Sequence, residues 1–134
     1  MSILVTDTGF HPVEPVETVG LDEIAAHKGA LELAHTDDPA LVAPYLSELS
    51  LIRVTFPAFS DGRSFTIARR LRMLGYGGKL CAVGPVIADQ YAMVRRVGFD
   101  AVEIPDDLAA RQPVDQWVFR ADWLANYYQS RLRA

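Results

Sequence analysis

Leu51-Ile-Arg-Val-Thr-Phe-Pro-Ala-Phe-Ser-Asp-Gly-Arg-Ser64 decides how this chain is read. Leu51 to Phe56 is apolar or β-branched except at Arg53, the composition of a strand. The next residues carry a proline, a serine and the pair Asp61-Gly62, which is turn chemistry. Beyond them Ile67, Leu71 and Leu74 fall at i, i+4 and i+7, Phe65 and Ala68 widen the stripe, and Arg69, Arg70 and Arg72 lie off it. That spacing predicts an amphipathic helix with Ser64 as its N-cap and Gly75 as its stop. The stretch is therefore one strand–loop–helix unit.

The unit repeats outward. Upstream, residues 30–34 read as a short strand. Asp38 and Pro39 then suit the cap and first position of a helix running to about residue 48. Pro44 lies too deep in that helix to be harmless and predicts a kink or a later start. Downstream, Lys79-Leu-Cys-Ala-Val83 reads as a buried strand. Gly84-Pro85 turns into a helix with Ile87, Tyr91 and Val94 on one face. Residues 100–104 form the next strand, stopped at Pro105. Leu74-Gly75-Tyr76 before one strand is echoed by Val97-Gly98-Phe99 before the next. Alternation of this kind predicts an α/β fold: a small parallel sheet of about four βα units with right-handed crossovers. An open sandwich and half of a β/α barrel fit it equally. The chain reads as one domain of 134 residues, with an N-terminal arm over 1–29, a βα core over 30–111 and an aromatic C-terminal helix over 112–134.

Half of the residues are hydrophobic, 22% are charged, and the net charge is −4. A negative balance argues against general affinity for nucleic acid or an anionic membrane, which need a positive footprint. The start of the chain lacks the charged and apolar blocks of a signal peptide, and no apolar run approaches a membrane span of about 20 residues. Cys81 is the one cysteine, which rules out an internal disulfide and a cysteine-held zinc or iron–sulfur centre and suits the reducing cytoplasm.

Ligands of parallel α/β proteins gather at the carboxyl ends of the strands. That rim collects Asp61, Arg63 and Ser64, with Asp89 and Gln90 from the next unit, beside the aromatic walls Phe56 and Phe59. Backbone N–H groups opening a helix next to an arginine suit a small anion. Each residue also has a plain scaffold role: Asp61-Gly62 as a turn, Ser64 as a cap, Asp89-Gln90 at a helix start. In the last segment Trp117, Ala121, Leu124 and Tyr128 make one helical stripe, and Phe119, Trp123 and Tyr127 a second. Two apolar faces are more than one small sheet needs: either both pack on the domain and its N-terminal arm, or one docks on a second copy or a partner, with Trp117, Trp123, Tyr127 and Tyr128 as the candidate interface residues. Gly75-Tyr-Gly-Gly-Lys79 follows a helix and precedes a strand, the reverse of a phosphate loop. His11, His27 and His35 lack metal-ligand spacing, and Cys81 reads as an inert buried thiol. No metal or cofactor is expected.

Phe56-Pro-Ala-Phe-Ser-Asp-Gly-Arg63, Ala68-Arg-Arg-Leu-Arg72, Lys79-Leu-Cys-Ala-Val-Gly84, Asp89-Gln90 and Arg96-Val-Gly-Phe-Asp-Ala101 follow in an order and with gaps that resemble a bacterial family, domain of unknown function nine-three-four. The resemblance covers residues 30–104. It marks Phe56, Pro57, Phe59, Asp61, Gly62, Arg63, Ala68, Arg69, Gly84, Asp89, Gln90, Gly98, Phe99 and Asp100 as motif positions. Thr55 and Pro85 stand where many members carry an acidic residue, which weakens a metal or acid–base role at the rim. Members are typically encoded beside the haem-containing subunit of assimilatory sulfite reductase. The resemblance thus implies an accessory protein for sulfite reduction and cysteine biosynthesis, with sulfite reductase or another sulfur-assimilation protein as partner. A small enzyme or anion-binding protein built on the loop at 56–63, and a homo-oligomeric interaction module, are the alternatives.

Overall fold

The computed structural model describes residues 2–13, 16–57 and 62–120. Four parallel strands, β3 (Ala30–Leu33), β4 (Leu51–Thr55), β5 (Lys79–Val83) and β6 (Ala101–Pro105), lie side by side in chain order. A hairpin, β1 (Ser2–Thr6) and β2 (Gly9–Pro12), adds to the β6 side in antiparallel sense, with Val5 opposite Val102 and Ser2 opposite Pro105. The sheet order is β2-β1-β6-β5-β4-β3. Its outer strands do not pair with each other, so the sheet is open, and the half-barrel alternative falls away. The segment read as an N-terminal arm supplies two of the six strands. Its remainder holds a 3₁₀ stretch, Leu21–Ala26.

The helices are α1 (Arg63–Met73), α2 (Tyr91–Arg96), α3 (Asp106–Arg111) and α4 (Val114–Arg120). The helix expected after Pro39 is a 3₁₀ stretch, Pro39–Tyr45, capped as expected by Asp38, whose Oδ1 accepts from Ala40 N at 2.9 Å. Pro44 sits inside it and cannot supply the N–H that an α-helical bond would need. Residues 114–120 are the described part of the expected C-terminal helix; the rest of that expectation lies outside the described residues. None of the described helices is long and apolar enough to cross a membrane.

Because β3 to β6 follow one another without reversal, right-handed crossovers put every connecting segment on the same face. The burial pattern agrees. Leu31, Leu33, Ile52, Val54, Leu80, Ala82, Val102 and Ile104 share one parity along the strands and join a single core with Ile67 and Leu71 of α1, Tyr91 and Val94 of α2, and Trp117 of α4. Tyr91 and Trp117 meet edge to face at 5.9 Å. The opposite parity, with Leu4, Glu32, Leu51, Arg53, Lys79, Cys81 and Glu103, faces away from that core. The chain leaves β2 at one edge of the sheet and meets β3 at the other, where Val19 O accepts from Glu32 N at 2.9 Å.

Two arginines tie the loops down. Arg72 donates to the carbonyls of Tyr76, Gly78 and Gly98 and to Asp100 Oδ2, over distances of 2.7–3.0 Å. Asp100 Oδ2 also accepts from Leu80 N at 2.9 Å. Arg95 grips Asp7 through Nε and Nη2 at 3.2 and 3.1 Å, and Tyr91 Oη donates to the same carboxylate. That contact fastens the β1–β2 turn to α2.

Candidate functional site

The carboxyl rim, where the sequence points first, is mostly scaffold in its described part. Ser64 is fully buried, and its Oγ donates to Thr55 O at 2.8 Å. It does not cap α1, which starts one residue earlier behind Gly62. The hydroxyl instead holds the helix onto the end of β4, so it is committed within the fold. Phe56 is also in the core, against Phe65 at 5.1 Å and Phe99 at 5.8 Å between ring centroids. Gln90 Oε1 accepts from Ile87 N at 3.2 Å and closes the 3₁₀ turn that leads into α2. Arg63 and Asp89 are exposed at this end of the sheet. Phe59 and Asp61 lie outside the described residues. The strand order adds a reason for the plain character of the rim. A crevice opens at the carboxyl edge where neighbouring crossovers diverge to opposite faces, and β3 to β6 contain no such reversal.

Gly84 is the tightest point there. Its φ is +136°, and a Cβ placed on it would lie 2.3 Å from the Phe56 carbonyl oxygen. Only glycine lets the β5 end pass so close to the β4 end.

Of the interface candidates, Trp117 is completely buried in the domain's own core, with Nε1 donating to Gln112 O at 2.9 Å. It is a packing residue and not an exposed interface residue. Trp123, Tyr127 and Tyr128 lie outside the described residues.

The face of the sheet that the described helices leave uncovered gathers more chemistry than the rim. Arg53 on β4 reaches across β5 to Glu103 on β6, with Nη2 to Oε2 at 2.9 Å. Both side chains are largely shielded. Cys81, on the strand between them, is buried although it lies on the uncovered side. Burial, and then the Glu103 carboxylate, push its thiol up to about 12, against a downward pull from Arg53 and Lys79. The thiol is therefore protonated at neutral pH and is a poor nucleophile. Glu32 lies on the far side of Arg53, its Oε1 4.0 Å from Nε. Arg53 Nε itself is buried without a hydrogen-bond partner among the described residues.

Arg53, Cys81 and Glu103 floor a cleft of about 370 Å³. Leu4 and Leu51 wall it from the sheet, Val13 and Val16 from the segment between β2 and β3, and His11 and Lys79 complete its edge. A second, shallower depression of about 650 Å³ lies toward β3, lined by Glu32, Asp22, Asp37 and Thr55. Among the described residues no group of three or more His, Cys, Asp or Glu side chains is placed to hold a metal ion.

Rim reasoning bypassed this face, although the sequence holds a signal for it. Arg53, Lys79 and Glu103 recur at one parity in three neighbouring strands. Parallel strands covered on both faces read as continuous apolar runs. Charges at one parity of three of them indicate a sheet covered on one side.

No curated protein and no solved structure matches the chain significantly. One family model does, over residues 30–134, from β3 through the end of the chain. On that match the chain belongs to the family described as bacterial protein of unknown function, DUF934.

Proposed function

We propose that this protein is a cytoplasmic accessory factor of assimilatory sulfite reduction, on the route to cysteine, and that it works by binding rather than by covalent chemistry of its own. Membership of the family supports the link to sulfur only through what the sequence resemblance implies, a gene neighbourhood beside the haem-containing subunit of sulfite reductase. The observation that carries the binding half is the state of Cys81. The chain's one thiol lies beneath the Arg53–Glu103 ion pair and is held protonated by burial and by Glu103. At the rim, Ser64 and Gln90 are already engaged in holding helix starts. The partner of choice is sulfite reductase itself, or another protein of sulfur assimilation.

The test is genetic and biochemical. A strain lacking the gene is grown with sulfate as sole sulfur source. The reading expects poor growth, restored by sulfide or cysteine, because sulfide enters after the reductase. It also expects sulfite reductase to co-purify with the tagged native protein. Normal growth on sulfate overturns the proposal, and so does a defect that sulfide fails to relieve.

A further inference from the structure

Lys79 lines the open-face cleft and is exposed, and its ammonium has no hydrogen-bond or ion-pair partner among the described residues. The other charges of the cleft are spoken for. Glu103 is engaged by Arg53, and Glu32 belongs to the neighbouring depression beyond Arg53. Cys81 contributes no charge at neutral pH. Among the described residues the balance inside the cleft is thus positive, on a chain whose net charge is −4. Lys79 pairs in register with Leu51 and lies diagonal to Arg53 on the same face, so an apolar wall and two cationic side chains stand within one ligand's reach.

The walls are apolar. Leu4 and Leu51 rise from the sheet, and Val16 faces them while 45% exposed. Binding pockets take this form, a largely apolar lining with a few placed polar groups. The volume, about 370 Å³, is at the small end of the usual range.

We propose that this cleft is a binding site for a small organic anion, with its acid group on Lys79 and a short branched apolar body against Leu4, Leu51 and Val16. The Arg53–Glu103 pair forms the floor and holds the three strands in line beneath the ligand. This site is distinct from the strand-to-helix loop at 56–63 and stands independently of the role in sulfite reduction.

The experiment is an NMR titration of the ¹⁵N-labelled full chain at pH 7 with four probes: isovalerate, its neutral amide, isoamylamine and inorganic sulfate. Isovalerate is expected to shift the amides of Leu51, Arg53, Lys79 and Cys81 along a saturable curve. The amide, the amine and sulfate are expected to bind at least about tenfold more weakly, the loss of one hydrogen bond to a charged group or of the apolar contact. Lys79→Gln, at an exposed position, is expected to keep the native spectrum and to weaken isovalerate by about tenfold as well. Absence of a saturable shift overturns the site. Equal binding of the amide or amine overturns the role of charge, and equal binding of sulfate overturns the role of the apolar wall. Unchanged isovalerate binding by Lys79→Gln overturns the assignment of the acid group.

Discussion

Replacing Arg72 tests the reasoning that the loops at the amino ends of β5 and β6 are held by one guanidinium. The side chain is 26% exposed and serves four acceptors: three carbonyls and the Asp100 carboxylate. It also lies over the Tyr76 ring, 5.5 Å from its centroid. A hydrogen bond to a charged group is worth about 1.5–3 kcal/mol where water is excluded. Water competes over the exposed part, so about 1–1.5 kcal/mol for each acceptor applies, or roughly 5 kcal/mol in all. Truncation returns about 2 kcal/mol of side-chain entropy. Arg72→Ala is thus expected to destabilise the protein by about 3 kcal/mol. Arg72→Lys keeps the charge and loses the planar fork, and recovers only about 1 kcal/mol of this. The assay is urea denaturation followed by circular dichroism, with the denaturant slope unchanged. A loss below about 0.5 kcal/mol for alanine, or wild-type stability for lysine, would refute the idea that geometry and not charge alone holds these loops.

Three further outcomes follow from the packing. Gly84→Ala puts a Cβ against the Phe56 carbonyl at a φ that L-residues avoid, and is expected to cost about 2–4 kcal/mol by thermal or urea unfolding; retained stability would contradict the close approach. Trp117→Ala empties the fully buried space beside Tyr91 and is expected to cost about 3–5 kcal/mol in the same assay, whereas an interface residue would leave monomer stability nearly unchanged. Cys81 and Tyr76 both have folded pKa values raised to about 12, from 9.0 and 10.0. The unfolded chain therefore releases these protons first, and stability falls as pH rises from about 9 toward about 12. Cys81→Ala is expected to flatten that fall, and an equally steep decline in the variant would remove Cys81 as its cause.

Much of the fold was legible before any coordinates, because strands and helices here alternate with short connections. The strands at 51–55, 79–83 and 101–105 carry their β-branched and apolar runs plainly. Ile3–Val5 reads as a possible short strand, and β1 covers it, but β2 and the pairing were not legible, since Pro12 and the loop chemistry around it masked a partner about a hundred residues away in β6. Local pattern cannot reveal such a pairing. At the rim, the scaffold role at a helix start holds for Gln90, while the capping role of Ser64 does not. Ser64 has the chemistry of a cap but sits inside the helix, where its hydroxyl finds the Thr55 carbonyl. For Trp117 packing on the domain and docking on a partner stay open in the sequence, and Phe56 reads as the wall of a rim site, because the sequence cannot say how much apolar area one covered sheet face absorbs; both are in the core. Arg72 and Arg95 read as solvent-facing charges at helix ends. Only the folded chain shows that Gly98, Asp100 and Asp7 lie within their reach. The chemistry of the open face was the largest omission, and it depended on handedness. Arg53 alone does not tell a sheet face from an edge; Arg53, Lys79 and Glu103 do so only together, at one parity of three strands.

The pairing of β1 with β6 also orders events in time. Ser2 to Val5 leave the ribosome about a hundred residues ahead of their partners, Val102 to Pro105, which form the last strand of the sheet in chain order. The parallel strands form by short crossovers between neighbours, each closing a loop of a few tens of residues. The hairpin must wait until nearly the whole domain has been made, and then close a loop of about a hundred residues. Until it arrives, β6 presents an unpaired apolar edge, with Val102 and Ile104 beside it uncovered by Val5. The earliest strand of the sheet in chain order is the one that completes it.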